Sequence, residues 1–138
     1  MEVEKDLIKR EIQKLNLLLN SLIDKISGIN SNNAKSGIGE INKDLKNKFD
    51  LSLDKITQME NSELIKHISE LHESHAEKIV ELLYEIVMKT ESLDFGENYE
   101  KRKIAQKAIT IIDFLNQKSE TFSMKRINMK NVLQQRRI

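Results

Sequence analysis

Apolar residues recur along most of this chain at steps of three and four, and no proline interrupts them anywhere in the 138 residues. That period belongs to the α-helix, whose side chains three and four apart share a face, whereas a strand alternates at every second residue. The many Ile residues favour strands by propensity, yet they fall at helical spacing. The Lys, Glu and Leu around them lose little side-chain freedom in a helix. The expected fold class is therefore all-α, five to six helices in an irregular bundle, as a single domain over residues 1–138.

The first helix is predicted from about Val3 to Ser27, where Ile8, Ile12, Leu15, Leu19, Leu22 and Ile26 form one apolar seam. Gly28, able to take φ > 0, and the apolar Ile29 after it predict a Schellman-type stop. At about 100° per residue Leu17 falls opposite the seam, with Val3, Leu7 and Leu18 between. Apolar residues on two sides require either a central helix or a partner. Leu7, Leu17 and Leu18 are therefore candidate contacts of a homodimer formed through this helix.

Three of the four glycines fall in Gly28–Gly39, GINSNNAKSGIG, which predicts a flexible loop over about 28–39. A second helix is predicted over 40–49, with Ile41, Leu45 and Phe49 in step. Residues 50–60 are open between a helix, a 3₁₀ turn and an extended tether. A third helix covers 62–71, and Ser74-His75-Ala76-Glu77 reads as a capping box that breaks the chain near His72–Glu73. The fourth, 75–91, buries Ala76, Ile79, Val80, Leu83, Ile86 and Val87, and the fifth, 98–117, buries Ile104, Ala105, Ala108, Ile111, Ile112 and Leu115. The short link between them implies an antiparallel hairpin. In the last helix Ser123 is the predicted N-cap, with a staple between Phe122 and Ile127. Met124, Ile127 and Val132 are expected to face inward, with Leu133 near them.

The hairpin resembles one tetratricopeptide unit with an enlarged turn. Leu82-Leu83-Tyr84 match its first helix, Asn98-Tyr99-Glu100 open its second, and Ala108 stands at a small-residue position. Lys101 falls at the neighbouring small position, and no proline closes the unit. The order of elements is similar to an uncharacterised family of small bacterial proteins with tetratricopeptide-like helices, the last one entered through Ser119-Glu120-Thr121-Phe122-Ser123. The resemblance implies a fold and carries no activity.

Several function classes are disfavoured. The chain has no cysteine, and so no disulfide, thiolate nucleophile or Cys-based zinc site. Met1-Glu2-Val3-Glu4-Lys5-Asp6 is charged where a signal peptide needs an apolar run, and Leu17-Leu18-Leu19 is too short to span a bilayer, so a cytoplasmic location without membrane association is expected. His67, His72 and His75 lie beside Glu63, Glu70, Glu73 and Glu77, but neither paired Glu-x-x-His nor H-E-x-x-H is present. No metal, cofactor or catalytic residue is assigned, and Ser74-His75 adjacency makes no dyad because helix neighbours diverge by about 100°.

Three readings remain, the last a metal-dependent role for the cluster of His67, His72 and His75. The leading one is a non-enzymatic helical protein-interaction module, with a groove on the hairpin formed by Tyr84, Met88, Tyr99 and Phe114. The alternative rests on charge: residues 98–138 hold 10 Lys/Arg against 3 Asp/Glu, while the rest of the chain is net acidic. A nucleic-acid-associated protein would then use Lys101, Arg102, Lys103 and Lys107, with Lys125, Arg126, Lys130, Arg136 and Arg137 behind them.

Overall fold

The computed structural model describes residues 2–90, 100–118 and 123–136. The predicted 92–97 link, Asn98, Tyr99, the Ser119–Phe122 entry to the last helix, its Phe122 staple and Arg137 lie outside the described residues, as does the side chain of Arg136. Among the described residues the fold is all-α with seven helices: α1 (Glu2–Ser27), α2 (Ala34–Phe49), α3 (Leu53–Gln58), α4 (Asn61–Ser69), α5 (Glu73–Thr90), α6 (Lys101–Lys118) and α7 (Met124–Arg136). No helix among them is long and apolar enough to cross a membrane.

The count exceeds five to six because the ambiguous stretch contains a helix of its own. Asp50 takes the left-handed conformation (φ 53°) and its N–H returns to the Lys46 carbonyl, which ends α2. Asp is among the few non-glycine residues that tolerate this geometry. Leu51 is then buried, and Ser52 caps α3 by accepting from the Lys55 N–H at 3.0 Å. The left-handed stop expected at Gly28 is thus found at Asp50. Gly28 itself has no left-handed φ, and α1 closes through a tighter turn from Ile29 N–H to the Ile26 carbonyl.

The predicted 28–39 loop is only six residues long, because α2 starts at Ala34 rather than at 40. Asn30 and Asn33 close that turn reciprocally. The Asn30 N–H donates to Asn33 Oδ1 at 2.8 Å, and Asn30 Oδ1 accepts from the N–H groups of Asn32 and Asn33. Gly37, inside α2, is where Ile29 packs: a Cβ there would stand 2.9 Å from Ile29 Cδ1.

α5 and α6 form the centre, and α5 is buried from His75 to Val87 along its inner faces. α1 packs on α5 and α2, while α3 and α4 cover α6, and α7 crosses both central helices. α1 and α5 run parallel: His75 stands level with Ile12, and the Lys89 ammonium reaches the carbonyls of Ser27 and Ile29 at the other end. There it complements the negative end of α1. α1 is therefore peripheral rather than central, which leaves Leu17 69% exposed.

Candidate partner-binding groove

α7 has few apolar residues, and charge fixes its position. Ser123 caps it, its Oγ accepting from the Arg126 N–H at 3.2 Å. Arg126 is 4% exposed and forks between the Glu77 carboxylate on α5 and Asn116 Oδ1 on α6, the latter at 2.8 Å. That bridge sets the start of α5 beside the end of α6, so the hairpin is antiparallel. Lys125 pairs with Glu81 at 3.0 Å and Lys130 with Asp113 at 2.6 Å. A buried guanidinium needs such planar, multiple acceptors to offset its lost hydration.

This arrangement corrects the predicted inner face of the last helix. Arg126, Met129 and Leu133 are buried, whereas Ile127 and Val132 are half-buried and Met124 is 60% exposed. The apolar count missed the rotation because the residue that sets it is an arginine.

The same rotation opens a groove between α5 and α7. Its narrow end, about 80 Å³, lies against Glu77, Ser123 and Arg126. Sharing Glu81, Lys125 and Met129 with it, a wider section of about 460 Å³ runs on between Tyr84 and Glu85 of α5 and Asn128 and Val132 of α7. The floor is apolar (Tyr84, Met129, Val132), and Glu81 and Glu85, one helical turn apart, line the α5 side with carboxylates.

Of the residues expected to form a groove, the structure brings only Tyr84 to this one. Met88 is half-buried elsewhere on α5. Phe114 packs against the core with the Lys118 ammonium 5.9 Å from its ring centroid, and Tyr99 lies outside the described residues. Met129, Val132, Glu85 and Asn128 were missed, since the periodicity of α5 and α6 says nothing about where α7 lies.

The basic residues are dispersed. Lys107 turns into the α3–α4 junction, donating to the Met59 carbonyl and Asn61 Oδ1 at 2.7 Å each. Lys101 is half-buried, Arg102 and Lys103 are exposed at the start of α6, and Lys103 lies 3.8 Å from the Glu100 carboxylate.

The histidines tie helices to one another or cap them. His67 Nε2 lies 3.0 Å from the Phe49 carbonyl at the end of α2. The buried His75 places Nε2 3.0 Å from the Ile12 carbonyl and its ring edge-on to Phe49. His72 replaces the expected capping box. Its Nδ1 accepts from the Ser74 N–H at 3.2 Å while its carbonyl receives the first bonds of α5, and Glu77 is committed to Arg126 instead. Among the described residues no three His, Cys, Asp or Glu side chains converge where a metal ion would sit.

Leu7 and Leu17 are 56% and 69% exposed, Ile8 is 59% exposed, and Leu18 is half-buried against the core. The chain is thus an all-helical bundle with a groove that is apolar at its floor and carries Glu81, Glu85 and Lys125 at its rim. In comparison with known proteins, no family model, no curated protein and no solved structure matches it.

Proposed function

We propose that this chain is a non-enzymatic helical interaction module whose α5–α7 groove receives an amphipathic helix with basic residues beside its apolar face. The groove itself carries the reading: an apolar floor of Tyr84, Met129 and Val132 beside Glu81 and Glu85. Apolar side chains supply the burial, and Glu85, one turn beyond the Glu81–Lys125 pair, favours a basic residue beside them. The hairpin's resemblance to a tetratricopeptide unit supports the same reading, since Tyr84 belongs to the matching residues. His67 and His72 serve helix ends and His75 ties α5 to the middle of α1, structural tasks that favour a binding role over a catalytic one.

Site-specific photocrosslinking in cells tests it. A photoreactive residue at Asn128, on the groove, should give a defined protein adduct whose contact segment is a basic amphipathic helix. One at the exposed Gln106 on α6 should not. Adducts that vanish on nuclease treatment, or equal adducts from both positions, would defeat the proposal. The first of these would favour a nucleic-acid-associated protein working through Arg102 and Lys103.

A further inference from the structure

α2 keeps one face in solvent, and Gly39 lies at its middle, exposed within a helix of 16 residues. Glycine weakens a helix interior relative to alanine. Gly37 has a packing reason in Ile29, but a Cβ at Gly39 would meet nothing within 4 Å. The fold gives no reason for this glycine. Charge marks the same face. At about 100° per residue, Lys35, Lys43 and Lys46 all fall within about 40° of Gly39. All three are exposed, and none forms a salt bridge among the described residues.

The acids of α2 and its cap leave that charge standing. Glu40, about 100° round from Gly39, is held by Lys25 at 2.6 Å, with Lys43 reaching it by charge alone. Asp50, past the helix end, holds Lys55 at 3.4 Å, and Asp44 falls about 140° away. Ser36 and Asn42 are the other helical residues within about 60°, so the face carries no apolar side chain. That composition selects among anionic partners. A membrane surface needs an apolar face to insert, and a protein interface an apolar or aromatic centre. Nucleic-acid interfaces are instead polar and strongly basic, with Lys, Ser and Asn side chains on phosphate oxygens. A glycine in the row lets the helix backbone come close to a sugar–phosphate chain. Lys35 to Lys46 spans about 16 Å, against phosphates about 3.4 Å apart along each strand of a duplex.

We propose that the outer face of α2 docks on the phosphate backbone of a nucleic-acid duplex, with Lys35, Lys43 and Lys46 on phosphates and Gly39 at the point of closest approach. Phosphate contacts position a protein without reading sequence, so the binding is sequence-independent. The face shares no residue with the α5–α7 groove, and each stands or falls without the other.

Fluorescence anisotropy of the full chain with a short labelled DNA duplex of mixed sequence, and with the matching RNA duplex, tests the contact. The logarithm of the association constant should fall linearly with the logarithm of salt concentration, at a slope of about −2.7 for three phosphates. Lys35→Gln, Lys43→Gln and Lys46→Gln should each make the slope shallower by about 1. Lys48→Gln, about 180° from Gly39, should leave it unchanged. Gly39→Leu should weaken binding while raising the thermal midpoint, a combination that a purely structural glycine would not give. Binding of either duplex in this pattern supports the proposal, and the tighter one identifies the nucleic acid. A wild-type chain that leaves both duplexes free at low salt overturns it. So does binding lost in Arg102→Gln and Lys103→Gln but kept in the three α2 variants, which would move the contact to α6. Tighter binding to phosphatidylserine vesicles than to either duplex overturns it too. Val132→Glu, in the groove, should leave duplex binding unchanged.

Discussion

The two ends of α1 carry the same apolar spacing and meet opposite fates. Towards Ser27, Leu19, Leu22 and Ile26 are buried between α5 and α2, Lys89 caps the final carbonyls, and Lys25 pairs with Glu40 across to α2 at 2.6 Å. Towards Glu2, Leu7 and Ile8 continue the pattern into solvent. Periodicity specifies the face a helix offers, and the lengths of its neighbours decide how much of that face is used. α2 and α5 both stop near Ile12, so the seam is sealed beyond that level and left in solvent before it.

The widest difference between the ends should appear in truncation. Leu22→Ala opens a cavity in the core and should cost about 2–5 kcal/mol, whereas Ile8→Ala in dilute solution should change stability by less than about 0.5 kcal/mol. Chemical denaturation of both variants at matched low concentration measures this. Equal losses would mean that the start of α1 is packed within the monomer. His72, at the boundary between the two parts, comes next. His72→Ala removes the cap from the Ser74 N–H and should cost about 1 kcal/mol, while His72→Ser, which restores a side-chain acceptor, should recover most of it. If Ser fails to recover the loss, the ring's contact with His75, 5.5 Å between centroids, matters more than the cap.

What could be read in advance divides along the same line. The span of α1 and the inner faces of α5 and α6 are legible because they are long, periodic and filled by aliphatic residues. The start of α2 is not, because Gly37 and Gly39 argue for a loop until Ile29 is seen to fill the space a Cβ would take at Gly37. The face of α7 was hidden by Arg126, a charged residue at a core position whose acceptors, Glu77 and Asn116, lie on two other helices. Since α7 forms one wall of the groove, that single residue also kept Met129 and Val132 out of the candidate site, although Tyr84 on the opposite wall was within reach.

The two helical glycines sharpen the account of the sealed end. A Cβ at Gly39 meets nothing within 4 Å, so Gly39→Ala should stabilise by about 0.5–1 kcal/mol through helix propensity alone. At Gly37 the same gain is opposed by Ile29, whose Cδ1 and Cγ1 would lie 2.9 and 3.0 Å from the new carbon. Gly37→Ala should therefore gain less than Gly39→Ala or lose stability. Thermal melts of the pair decide, and equal gains would show that Ile29 does not hold the α1–α2 turn.

The smallest effect concerns the exposed pair that links α1 to α2. The Lys25 ammonium donates to Glu40 and, by that hydrogen bond first and its charge second, holds the Glu40 carboxyl below the ordinary glutamate range, with Lys43 adding to the charge effect. A carboxyl lowered in the folded state contributes stability that is complete above its unfolded pKa and is lost as pH falls through the lowered folded one. Solvent screening keeps that contribution small, so the titration itself is the better observable. Followed by NMR at the Glu40 side-chain carbonyl, the midpoint of the wild-type chain should lie below that of Lys25→Met. Coincident midpoints would show that the pair is not formed in solution. The closure of this end of α1 would then rest on Ile29 against Gly37 and on Lys89 at the last carbonyls, without help from surface charge.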